Sequence, residues 1–70
     1  MKISVYTAVK ISKNAWRIDT HERQGTIIYN TRRAAIESVE DYQQQAFNGS
    51  RAYLIRDTAG RILSRHGYGL

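Results

Sequence analysis

Only one stretch of this chain carries helical periodicity, and the segments on both sides of it read as strands, so one helix must be enough to cover a sheet. Ile36, Val39, Gln43 and Ala46, with Ala35, Tyr42 and Phe47 beside them, trace an apolar stripe interrupted once by glutamine. Glu37, Glu40, Asp41, Gln44 and Gln45 fill much of the remaining surface. Asn30 or Thr31 can accept a bond from an orphan N–H of the first turn. Asn48-Gly49 can take the left-handed conformation that ends helices. The spacing predicts a helix over about 31–47. Asn48-Gly49-Ser50 also matches a glycosylation sequon, and capping explains it more simply.

Strand signals surround the helix. Ile3, Val5, Thr7, Val9 and Ile11 recur at every second position, the period of a half-buried strand. Ser12-Lys13-Asn14 supplies a turn, and Trp16 and Ile18 alternate with Arg17 in the next strand, so the two segments form a hairpin. Thr26-Ile27-Ile28-Tyr29 is short, β-branched and aromatic, the pattern of a third strand. After the helix, two Arg-rich segments flank Asp57-Thr58-Ala59-Gly60 as a second hairpin. The expected fold is α+β: a small antiparallel sheet in the order β-β-β-α-β-β with one helix packed across one face. It forms a single domain over 1–70, with strands near 3–11, 15–20, 26–29, 51–56 and 61–65.

At 70 residues without cysteine, the core must be thin and no disulfide or thiolate metal site can staple it. No run approaches the roughly 20 apolar residues of a membrane helix, and the first twelve residues alternate instead of forming a signal's apolar core. A soluble, cytoplasmic protein without a membrane partner is expected. Eight arginines and three lysines against six carboxylates give a net charge of +5, a balance that favours polyanions and acidic protein surfaces.

Ala15-Trp16, Asn30-Thr31 followed by Ala34-Ala35-Ile36-Glu37, Gly60-Arg61-Ile62 and Tyr68-Gly69 resemble the G-W-x-V strand, D-T-x-x-E-A-I helix start, D-G-R-I turn and terminal Y-G of a family of short bacterial proteins. The resemblance spans about residues 7–69 and implies a small sheet with one helix across it, of bacterial or phage origin. The chain departs from the pattern at Ala34, where the family has Glu, and at Ala59, where it has Asp. The family is a domain of unknown function and supplies no activity.

The candidate surface is the C-terminal hairpin. With Tyr53, Ile55 and Ile62 directed at the helix, alternation sends Leu54, Arg56, Arg61, Leu63 and Arg65 to the opposite face. A guanidinium pairs well with phosphate or carboxylate, so this face suits nucleic acid or an acidic protein. The two leucines suit a protein interface or a homo-oligomer, with the arginines as a rim. Taken blandly, the same pattern is a solvated face whose arginine stems cover apolar surface.

Arg32 and Arg33 stand at the start of the helix, where the macrodipole disfavours cations. An anion docked there would explain them, and so would an Arg33–Glu37 pair with Arg32 in water.

Chemistry is weakly represented. Asp19, His21 and Glu22 offer three potential metal ligands, but the only other histidine is His66. Ser64 and His66 alternate onto one face without an oxyanion hole, Glu40-Asp41 lies on a helix flank, and no glycine-rich phosphate loop is present. Trp16 and the tyrosines could stack on unpaired bases, although a thin core needs them, with Trp16 as an anchor. The expectation is a non-enzymatic binding module with neither cofactor nor metal.

Overall fold

A computed structural model describes residues 3–67 of the chain. Strand β1 (Ser4–Ser12) and strand β2 (Ala15–Thr20) form the first hairpin, and helix α1 (Arg32–Phe47) leads to the second, β3 (Tyr53–Asp57) with β4 (Ile62–His66). The sheet order is β2-β1-β3-β4.

The sheet is therefore mixed, where an antiparallel one was expected. β1 and β3 lie parallel at its centre, and each pairs antiparallel with its hairpin partner outside. Parallel neighbours require a long crossover, and the loop and helix between the hairpins supply it.

The expected strand over 26–29 is the second departure. Only Tyr29 pairs, in a single bridge to Trp16, with both backbone bonds at 2.8 Å. Ile27 and Ile28 stay 63% and 55% exposed. β2 ends at Thr20, so this segment approaches only one end of it before the chain turns into the helix.

Local signals place the helix ends. Thr31 has extended backbone, and its hydroxyl accepts from the N–H of Ala34 at 3.0 Å, satisfying an orphan donor. At the other end Asn48 takes φ 52° and donates its N–H to the carbonyl of Gln44. In the second hairpin, the carboxylate of Asp57 accepts from the N–H groups of Ala59 and Arg61, both at 2.9 Å. The turn's anchor thus precedes the glycine by three positions, and Ala59 need not supply it.

Helix α1 packs on one face of the sheet with Ala35, Val39 and Gln43, spaced by four and so stacked on one side. The core joins Val39 to Tyr53 and Ile55, with Tyr6, Ile18 and Ile36 against them. On β1 the inward residues are Tyr6 and Ala8, the latter 1% exposed. The alternating set from Val5 to Val9 thus faces away from the helix, because the helix selects the face that carries alanine and tyrosine.

Gln43, which interrupts the apolar stripe, is only 2% exposed and donates to the Tyr6 hydroxyl at 2.6 Å. Its Oε1 finds no donor among the described residues, a loss of about 1–3 kcal/mol for a buried acceptor. Trp16, expected as a core anchor, is half-buried beside β1 with Lys10 Nζ 6.0 Å from its ring. It sits on the outer strand β2, where its backbone pairs with Tyr29. The terminal Tyr68-Gly69 motif lies outside the described residues.

Candidate binding face

Residues paired across neighbouring strands carry their side chains on the same side, so the register defines the face opposite the helix. One row runs Asp19, Thr7, Arg56, Ile62 across all four strands. A second runs Val5, Leu54, Arg65, and a third pairs Arg17 with Val9. The structure thus brings Leu54, Arg56 and Arg65 onto one open surface and adds Val5, Thr7, Val9 and Arg17 from the first hairpin.

Ile62 is a correction. It was expected to point at the helix, but a register shift between Ile55 and Arg56 pairs it with Arg56, and it is 47% exposed. A bulge places two residues opposite one, so Leu63 is the additional residue and both lie near Arg56. Arg61 precedes β4 in the turn, where its backbone N–H is held by Asp57. Its side chain is exposed at the end of the surface.

The guanidinium groups differ in availability. Arg17 Nε donates to Asp19 Oδ1 at 3.0 Å, so the third row is already neutralised. Arg56 and Arg65 are exposed, and neither has a carboxylate within salt-bridge distance among the described residues. Leu54, Leu63, Val5 and Val9 are half-buried between them. A free planar fork beside aliphatic surface can clamp a carboxylate while the aliphatic groups are covered.

Arg32 and Arg33 do not join this face, since the helix lies on the other side of the sheet. Arg33 Nε donates to Glu37 Oε2 at 3.3 Å, the i,i+4 pair the spacing allowed. Arg32 is exposed.

The residues weighed for chemistry are engaged elsewhere. Ser64 donates to Glu40 Oε2 at 2.7 Å, and His66 Nε2 meets the carbonyl of Gly49 at 2.8 Å while its ring stacks on Tyr53. The two side chains share the helix side of β4, yet each has its own partner. Burial beside the core and the charge of Glu40 hold the Tyr53 hydroxyl above its ordinary value. Asp19 is bound to Arg17 and accepts from the N–H of Gly25 at 2.9 Å. Partial burial would raise its pKa, but the Arg17 hydrogen bond, the Gly25 amide and the Arg17 charge together hold it below the usual value. No group of three potential metal ligands occurs among the described residues, and no helix there is long and apolar enough to cross a membrane.

One concave feature lies on the helix side, a cleft of about 430 Å³ lined by Ile18, Ile27, Tyr29, Val39 and Tyr42. It was not foreseen, because it exists only where the 21–30 loop crosses in front of α1. The contribution of β1 to the open face was missed for a related reason. The alternation of Val5, Thr7 and Val9 was visible, but the parallel neighbour that places them beside Leu54 and Arg56 was not. No protein-family model, no curated protein and no solved structure matches the chain.

Proposed function

We propose that this chain is a non-enzymatic binding module whose open sheet face engages an acidic protein. The observation that carries the reading is the pairing of two uncommitted guanidiniums, Arg56 and Arg65, with half-buried aliphatic groups on one surface. Arginine forks orient carboxylates, and the aliphatic groups contribute only when a partner covers them. The net charge of +5 steers such a partner from a distance.

Nucleic acid fits this face less well. Base recognition on a sheet uses aromatic platforms. Here Tyr6 and Tyr53 face the helix, and among the described residues no aromatic side chain occupies the three open rows. A second reading, self-association through Leu54, Leu63 and the exposed Ile62, is favoured by the aliphatic content and opposed by bringing two +5 chains together.

Amide and methyl chemical-shift mapping of the full chain separates these readings. The probes are an acidic peptide of alternating glutamate and valine, a single-stranded DNA and a DNA duplex. The acidic peptide is expected to move Val5, Leu54 and Leu63 methyls, and Arg56→Ala to weaken binding about tenfold, as for one charge-assisted bond. Shifts confined to the helix side, or stronger binding of DNA with a steep salt dependence, would overturn the assignment.

A further inference from the structure

The two edges of the sheet are not equivalent. The outer edge of β2 is occupied by the chain itself. Trp16 exchanges both backbone bonds with Tyr29, and Thr20 donates its N–H to the carbonyl of Arg23 at 2.9 Å. Between them Gly25 lies so close to Ile18 that a Cβ there would collide with the Ile18 carbonyl oxygen.

At the other edge, the Asp57 N–H donates to Arg61 and the Ser4 N–H to Ala52. The odd-numbered residues of β3 therefore turn their backbone groups toward β4 and the even-numbered ones toward β1. Ser64 and His66, opposite Ile55 and Tyr53, turn inward to β3. β4 is an outer strand, and alternation between the inward Ser64 and His66 turns the N–H and C=O groups of Arg65 outward, where no turn or loop among the described residues bonds to them; Leu63, the extra residue of the bulge, marks where that alternation ends.

We propose that this edge receives an extended acidic segment of a partner protein as a fifth strand. The inference rests on the acidic-partner reading and specifies how the partner binds. Charge complementarity selects the occupant. A residue opposite Arg65 would share the open face with an exposed guanidinium that lacks a carboxylate, so Glu or Asp fits there. Two positions along, a residue opposite Leu63 would cover aliphatic surface and should be apolar. A second copy of this chain offers no carboxylate, since its own β4 reads Ile-Leu-Ser-Arg-His, and each copy carries +5. The bulge at Leu63 confines regular pairing to the outward groups of Arg65, so the docked segment is short.

The probe is a capped peptide, Thr-Glu-Thr-Val-Thr-Glu-Thr, compared with its lysine counterpart. Two further versions are N-methylated on alternate amides, so that all side chains remain. Amide hydrogen exchange of the labelled full chain should slow roughly tenfold at Arg65 when the peptide is at about ten times Kd. Ser64 and His66 should keep their exchange rates. One methylated version should lose binding and the other retain it, because only one set of N–H groups faces β4. Arg65→Glu should transfer preference to the lysine peptide.

Shifts on the open face without slowed exchange at Arg65, or equal binding of both methylated versions, would overturn strand addition while leaving the acidic-partner reading intact. Absence of any open-face shift would overturn both. Slowed exchange that appears with protein concentration alone would assign the edge to a second copy and overturn the proposal.

Discussion

β2 and β4 are both outer strands of the same sheet, and the protein treats them oppositely. β2 is covered by the segment that follows it, which contributes the Tyr29 bridge, the Thr20–Arg23 bond and the Gly25 amide on Asp19. β4 has no such cover among the described residues, and its outward backbone groups lie beside Arg65 and Leu63. Unpaired edges invite foreign strands, and proteins usually blunt them by covering, by charge or by bulges. Here one edge is covered, while the other is short, bulged and cationic, features that disfavour like-charged copies and, on the proposed reading, suit an acidic segment. On the proposed reading, β2 serves stability and β4 recognition.

The largest effect should come from breaking the covered edge. Gly25→Ala forces a methyl group into the Ile18 carbonyl, so the loop must shift or detach. A loss of about 3 kcal/mol is expected, at the upper end for overpacking, measured by urea denaturation. If the variant unfolds at the wild-type midpoint, the loop does not seal this edge.

Asp19→Ala should cost about 1–2 kcal/mol at neutral pH, since it removes the anchor of both Arg17 and the Gly25 amide. The folded-state pKa of Asp19 is lowered, so its contribution is complete above the ordinary value of 3.8 and is lost as pH falls below that value through the lowered one. The variant should therefore show a shallower loss of stability between neutral pH and strong acid. Parallel acid profiles for the two proteins would separate Asp19 from the seal.

The smallest change belongs to the open edge. Arg65→Ala should leave stability within about 0.5 kcal/mol, as for an exposed side chain without an ion pair. The same variant should still weaken the acidic peptide. A large stability loss at Arg65 would make β4 a structural edge and erase the contrast.

Much of the architecture is legible in local chemistry. Thr31 and Asn48 bound the helix because a hydroxyl acceptor and a tolerance of left-handed backbone act within one turn. The two hairpins and the Arg33–Glu37 pair depend on neighbours a few residues apart. Tyr53, Ile55 and Leu54 likewise alternate as the pattern requires, with the first two buried.

The tertiary structure alone decided the rest, because those features join residues whose spacing carries no period. Parallel pairing of β1 with β3 follows from how the loop and helix return the chain. That crossover places Val5 and Thr7 beside Leu54 and Arg56 and extends an Arg-rich hairpin into a four-stranded face. A one-residue bulge then moves Ile62 from the expected core to the open side, since strand periodicity survives only while pairing stays in register. The sequence by itself determined one helix between two hairpins and an excess of arginine. Packing decided which side of each strand is dry, and it left Arg56 and Arg65 uncommitted because the helix covers only one face of the sheet.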